Sequence, residues 1–267
     1  MVVILLLLLA LTPLSTQAQC GIENTAFKAG ETVNYDLYFN WKFVWMKVGT
    51  ATMETTARSD QAGEGYQCSL ITRGNNKLDK FFLMRDTLLS HTDSSLAPLY
   101  YRKGAREGKR YYVDEYWYSY PNGNCRLRQN VLTSSAERLS KETTYKDCVY
   151  DMMSVYLRAR NFDASKLKEG DKIPLPIADG MKIANSWLKY NGTANIKMKN
   201  SSQKFRCLVF SFIERENGKN HELIRFYITD DKNHLPVRLD MFLSFGSAKA
   251  YLTDYKGLRN PITSKLD

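Results

Sequence analysis

The sequence predicts a mainly β protein: a curved antiparallel sheet forming a partial or closed barrel, with one principal α-helix around residues 148–160. Three observations predict it. Apolar side chains recur at every second position in several short segments. Turn signals rich in Gly and Asn separate those segments at regular spacing. Seventeen Tyr and twelve Phe are present, and aromatic side chains suit a pleated, half-buried surface. Rolling the sheet is the economical arrangement, because closure removes exposed edges.

The elements follow in order. Val33, Tyr35, Leu37 and Phe39 alternate with Thr32, Asn34, Asp36 and Tyr38, the period of a half-buried strand. A second strand covers residues 44–56, with Gly49 as a bend or bulge. Gly63-Glu64-Gly65 turns the chain into a third strand at 66–72. Residues 78–82 fit one helical turn, and 85–92 fit a strand. Pro98 confines any strand there to an edge or a start. A long strand at 109–120 closes on Pro121-Asn122-Gly123-Asn124, and Cys125–Leu132 returns antiparallel. Two further pairs are expected: 203–213 with 222–229 around Asn217-Gly218, and 234–245 with 249–255 around Gly246. The helix is read from Val149, Met152, Met153, Tyr156 and Arg160, with Asp147 as N-cap and Asp151 in the first turn. Arg158 and Arg160 complement its C-terminal dipole, and Gly170 and Pro174 mark the exit. Such a helix would plug an open sheet, burying Met152 and Tyr156.

Residues 2–11 carry no polar side chain and lead through Pro13 to Thr16-Gln17-Ala18. This is the pattern of a secretory signal peptide at residues 1–18, although no positive residue precedes the apolar run. Cleavage after Ala18 leaves one β-rich domain at 19–267. Cys20 opens a second reading, a lipid-anchored form, for which Gln19 is a poor preceding residue. No later stretch approaches the roughly 20 apolar residues of a membrane-spanning helix. Export exposes Cys20, Cys68, Cys125, Cys148 and Cys207 to an oxidising compartment. Their spacing leaves pairing open, and Cys68 and Cys207 also fit buried free thiols on strands. The net charge of +10 is spread along the chain and reads first as a solvated basic surface.

Four separated motifs carry a resemblance. They are Ala29-Gly30-Glu31 through Tyr35, Arg85-Asp86-Thr87 before Ser90, the helical run from Asp151-Met152-Met153 to Arg158, and the run from Tyr227 through Thr229-Asp230-Asp231 to Val237, followed by Gly246-Ser247. In order and spacing they resemble the bacterial domain of unknown function 3108 family over roughly residues 27–256. The resemblance implies an exported protein of the periplasm or cell envelope with no established activity. It also implies a shape similar to curved half-barrels such as the periplasmic lipoprotein carriers. The segment from Trp41 to Trp45 and the aromatic strand 111–120 depart from many relatives.

No catalytic motif is present, so no catalytic residue and no cofactor are expected. His91, His221 and His234 are too dispersed for a local metal site. The stretch 104–110 lacks the spacing and the Ser/Thr of a phosphate loop. Asp230-Asp231 with Asn233 could offer oxygens to calcium, but such a run is ordinarily a turn. Asp86 with Arg85, Asp151 with Arg158, and Asp230 and Asp231 are read as structural polar anchors, since a buried carboxylate needs a partner. The candidate ligand contacts are Arg102, Lys109, Arg110, Tyr112, Tyr116, Trp117 and Tyr118, a basic and aromatic set. Export argues against nucleic acid and favours a lipid headgroup or an acidic glycan. The leading expectation is a non-catalytic protein that binds an apolar or amphipathic molecule in the concave face of the sheet. The rivals are an assembly factor that meets other envelope proteins through a sheet edge, and a glycan-active enzyme. The enzyme would need a facing pair among Asp114, Glu115, Asp230, Asp240 and Asp254.

Overall fold

The computed structural model describes residues 20–41, 44–75, 83–199, 202–243 and 246–267. The expected signal peptide at 1–18 and helical turn at 78–82 lie outside these residues. In chain order the elements are β1 (Glu31–Trp41), β2 (Val44–Asp60), β3 (Gly63–Gly74), β4 (Met84–Asp93), β5 (Pro98–Glu107), β6 (Arg110–Ser119), β7 (Cys125–Leu132) and β8 (Arg138–Tyr145). Helix α1 (Met152–Ala159) follows. The chain continues through β9 (Lys172–Pro174), β10 (Ile177–Asp179), β11 (Lys182–Ala184), β12 (Ser186–Lys197) and β13 (Lys204–Glu216). It ends with β14 (Lys219–Thr229), β15 (Pro236–Leu243), β16 (Gly246–Lys256) and β17 (Lys265–Leu266).

One antiparallel sheet holds all strands but β10 and β11, in the order β8-β7-β6-β5-β4-β3-β2-β1-β16-β15-β14-β13-β12-β9, with β17 added on β13. Two meanders are thus joined where β1 pairs with β16. The sheet is a partial barrel, since its end strands β8 and β9 do not pair with each other. Gly49 lies opposite Leu37, beside the bulge between Leu37 and Tyr38. A Cβ at Gly49 would lie 2.3 Å from the Arg73 carbonyl oxygen, so the close strand approach requires glycine. Asn217 and Gly218 both take positive φ, as a two-residue hairpin turn demands.

The helix fills the curve. Its Met153 and Leu157 pack with Cys68, Leu88, Tyr101, Tyr116, Tyr118 and Leu127 of β3–β7. Val155 packs with Leu188, Tyr190, Leu208, Phe210 and Ile228 of β12–β14. One sheet therefore touches the helix from two sides. Phe27 from the N-terminal segment and Ala178 from β10 complete the first cluster. Two expectations are corrected. The helix starts later than 148, and its N-cap is Asp151 rather than Asp147. Asp151 accepts from the Met153 and Ser154 N–H groups, while Ser154 accepts from the Asp151 N–H. Met152 is exposed, whereas the neighbouring Met153 is buried.

Cys20 and Cys148 form a disulfide with Cα atoms 5.4 Å apart, tying the first described residues to the helix entry. This corrects the lipid-anchor reading of Cys20, because one sulfur cannot carry both a disulfide and a lipid thioether. Cys68, Cys125 and Cys207 are buried free thiols.

Candidate functional site

The expected concave site is occupied by the chain itself. Tyr116 and Tyr118 are buried, and Tyr116 stacks on Tyr101 with ring centroids 5.3 Å apart. They are core residues and present no ligand surface. Trp117 points to the opposite side, under the Arg128 guanidinium at 4.2 Å and beside Tyr100. Two basic residues of this strand pair lie opposite acids. Arg102 pairs in register with Glu115, and Arg110 with Glu107, while Tyr112 donates to Glu107. Lys109 is exposed in the turn. Among the other acids considered, Asp114 lies in this buried region, and burial raises its carboxyl above the ordinary range. Asp254 is exposed.

The polar anchors sort differently from the expected pairs. Asp151 does not take Arg158. Its second carboxylate oxygen accepts from Ser90, and burial outweighs these hydrogen bonds, so its carboxyl is raised to about 6. Arg158 instead donates to the Cys20 carbonyl and lies over the Tyr150 ring. Asp86 accepts from the Arg106 N–H; burial and the neighbouring Glu107 raise it to about 6. Asp230 pairs with Arg206. Asp231 accepts from Thr229, Asn233 and Ser264, which fixes the turn and the C-terminal tail. Its oxygens thus serve chain contacts, and among the described residues no group of three or more His, Cys, Asp or Glu could hold a metal ion.

Beside this turn sits an ion pair that sequence reasoning missed. The Arg160 guanidinium makes a two-pronged contact with Glu31, and both side chains are 2% exposed. It also donates to the Asn233 carbonyl and the Tyr156 hydroxyl. All the charge here is matched within the chain.

A second cluster was also missed, on the sheet side turned away from the helix. Phe226 and Leu239 pair on the apolar side, so their neighbours Tyr227 and Arg238 lie on the other side of the sheet. Register then defines three rows across β14, β15, β16, β1 and β2. The first is Tyr227, Arg238, Tyr251, Asp36 and Thr50. The second is Arg225, Asp240, Lys249, Tyr38 and Lys47. The third holds Phe242 and Ser247 on one flank and Asn40 and Trp45 on the other. Arg238 pairs with Asp240, Arg225 with Glu222 and Lys47 with Asp36. Two ammonium groups remain. Lys199, just beyond β12, lies 3.8 Å above the Tyr38 ring and 5.4 Å from that of Tyr251. Lys249 lies 4.4 Å from the Trp45 ring. Among the described residues neither has a carboxylate at ion-pair distance. Burial, Arg238 and Lys199 hold the Lys249 ammonium below the ordinary lysine range, against the pull of Asp240.

Beyond the third row the sheet ends in an apolar rim. Val44, Met46, Phe242 and Leu243 are between 39% and 60% exposed there. An open acidic depression of about 460 Å³, lined by Glu214, Glu216, His221 and Glu222, borders Phe242 and Leu243 on the other flank. Alternation in β1 shows from sequence that Tyr38 opposes Leu37. No local signal could bring Lys199 and Lys249 to it, because that needs the register.

Comparison with known proteins bears on the fold. No curated protein matches the chain. A β-barrel-like protein of domain of unknown function DUF1849 from Brucella abortus is similar over 86% of this chain and 99% of its own, at 10% identity and a TM-score of 0.54. At that identity it shows the fold alone. Two others are similar only loosely, each at 10% identity. A candidate exported protein of YmcC-like fold from Bacteroides fragilis has a TM-score of 0.32, covering 88% of this chain and 98% of its own. A candidate lipoprotein from Parabacteroides distasonis has a TM-score of 0.33, covering 89% and 99%. Among the described residues no helix is long and apolar enough to cross a membrane. The family model for "Protein of unknown function (DUF3108)" matches residues 34–253, from β1 to β16, and the chain belongs to that family.

Proposed function

We propose that this is an exported cell-envelope protein that works by binding rather than catalysis, and that it engages an amphipathic lipid at the open apolar rim. The observation that carries the reading is the rim itself: four large apolar side chains, Phe242 and Leu243 on β15 and Val44 and Met46 on β2, exposed at the same end of a sheet whose curve is already filled. Large apolar side chains left exposed at one end of a domain are candidates for an interaction surface. The cationic and aromatic rows beside the rim suit the polar end of the same molecule, and the net charge of +10 favours a negative one. The Cys20–Cys148 disulfide supports residence in an oxidising compartment.

The sheet-edge assembly role is less well supported. End strand β8 carries Arg138, Lys141 and Glu142, and end strand β9 is three residues long and contains Pro174. Charge, shortness and proline all deter strand addition.

Vesicle co-sedimentation tests the reading. The disulfide-intact protein should pellet with phospholipid vesicles, and F242S/L243S should reduce binding at least tenfold. Equal pelleting of wild type and variant would sink the rim assignment.

A further inference from the structure

We infer that Lys199 and Lys249, with the Tyr38 and Tyr251 rings beneath Lys199 and Trp45 beside Lys249, form a docking site for the phosphate group of an anionic phospholipid. The inference rests on the rim reading and adds the recognition of the headgroup.

The charges around the site define what it lacks. Three of its cations, Lys47, Arg225 and Arg238, already have carboxylates. Lys199 and Lys249 do not, and Lys199 is one of the groups that hold the Lys249 ammonium below the ordinary lysine range. An ammonium over an aromatic face keeps a fixed direction, yet the ring supplies only partial compensation. The stable complement to two neighbouring ammonium groups is a group with more than one anionic or acceptor oxygen. A phosphate supplies that, and it shortens and strengthens the hydrogen bonds it accepts. The Arg238–Asp240 pair and the Arg225–Glu222 pair flank the position and limit its width.

Direction along the sheet selects a lipid phosphate over a free one. Side chains two residues apart on a strand are about 6.6 Å apart on one face. The row holding Lys249 and Tyr38 is one such step from Phe242 and Trp45, where the exposed apolar rim begins. A phosphate on Lys199 and Lys249 would therefore leave its acyl chains against Phe242 and Trp45, at the exposed end of the sheet. The acidic depression of Glu214, Glu216 and Glu222 is itself lined by Phe242 and Leu243, so that end of the rim turns anions back toward the lysines.

The test compares phosphatidylcholine vesicles with vesicles containing phosphatidylglycerol, using the full, disulfide-intact chain. Each basic residue near an anionic surface contributes about 1 kcal/mol, so K199Q/K249Q should lose binding to the anionic vesicles by about thirtyfold. Its binding to pure phosphatidylcholine should stay within twofold of wild type, and K199R/K249R should restore most of the loss. An unchanged urea midpoint would show that the variants are folded. Anionic binding by K199Q/K249Q equal to wild type would overturn the headgroup site while leaving the rim reading intact. Failure of wild type to bind either vesicle would overturn both. In a separate arm, inorganic phosphate is titrated against the melting temperature at constant ionic strength. Stabilisation of wild type by phosphate without vesicle binding would replace the lipid with a free phosphate and overturn the assignment.

Discussion

Two charged clusters in this molecule look alike on paper and differ in kind. At Arg160 one guanidinium, buried to 2% exposure, has Glu31 as counter-charge and carbonyl and hydroxyl acceptors for the rest of its donors. At Lys199 and Lys249 two ammonium groups converge on rings, with no carboxylate at ion-pair distance among the described residues. The first cluster joins the helix end to β1 and to the turn after β14, and nothing is left over for a ligand. The second sits on the other side of the sheet, over a Tyr38 ring that is itself buried, and leaves charge unspent. Matched charge in a dry site marks architecture, and unmatched charge on an aromatic floor marks a place where something else completes the set.

The comparison breaks most visibly if the buried pair is cut. E31Q leaves the Arg160 guanidinium buried without a counter-charge, and removing one partner of such a pair costs roughly 3–5 kcal/mol. Urea unfolding of E31Q should show that loss. Converting both residues, as E31Q/R160M, should cost less than the sum of the single changes. A loss below 1 kcal/mol for E31Q would show that water reaches the pair and that the hub is not architectural. The next largest effect concerns the other tie to the helix. C20S/C148S opens a link between residues separated by 128 positions, and loss of a native disulfide typically costs about 2–5 kcal/mol. The same loss should follow addition of a reductant to the wild type and should be absent in the variant.

Much of the architecture was legible in the sequence, for reasons that separate local from long-range signals. The alternation at Val33, Tyr35 and Leu37 places β1, and Asn217-Gly218 places the β13–β14 turn, because each signal lies within the element it specifies. β8 and β12 escaped detection. β8 is an end strand with little burial on either side, so its residues Arg138–Tyr145 show no apolar period. In β12 the alternation is interrupted at the bulge between Tyr190 and Thr193. The cap was missed by four residues because Asp147 and Asp151 both precede apolar positions. The Asp151-x-x-Ser154 spacing was the available discriminator. The strand period puts Tyr116 and Tyr118 of β6 on one face and Trp117 on the other. Sequence could not show that α1 would cover the face bearing Tyr116 and Tyr118. Glu31 and Arg160, 129 residues apart, and Tyr38, Lys199 and Lys249 are brought together only by the long-range pairing of the two meanders.

A smaller effect separates the interior carboxyl from the surface ammonium groups. Asp151 is raised to about 6 by burial, above the ordinary Asp value of about 3.9. The folded state thus holds a proton there more tightly than the unfolded chain does. Its contribution favours folding below about pH 4 and is lost as pH rises through about 6, on the order of 2–3 kcal/mol in all. D151N keeps an acceptor for the Met153 and Ser154 N–H groups and cannot titrate. Urea midpoints at pH 4.5 and 7 should therefore diverge more in wild type than in D151N. Identical pH responses would show that the carboxyl ionises normally despite its burial.

The smallest expected effect is the one that most sharpens the contrast. K199Q/K249Q should change the unfolding free energy by no more than about 0.5 kcal/mol, the usual range for surface substitutions. The sign is expected to be neutral or slightly stabilising. Lys249 is held below the ordinary lysine range, so at neutral pH the folded state carries a charge it disfavours, and removing that charge relieves the cost. Opposing this is the loss of ring contacts, which at exposed sites are worth about 0.5–1 kcal/mol. A urea midpoint equal to wild type, together with the loss of anionic vesicle binding, would separate recognition from architecture at these two lysines. A destabilisation above 2 kcal/mol would place them with Arg160 and Glu31, as charges the fold itself consumes.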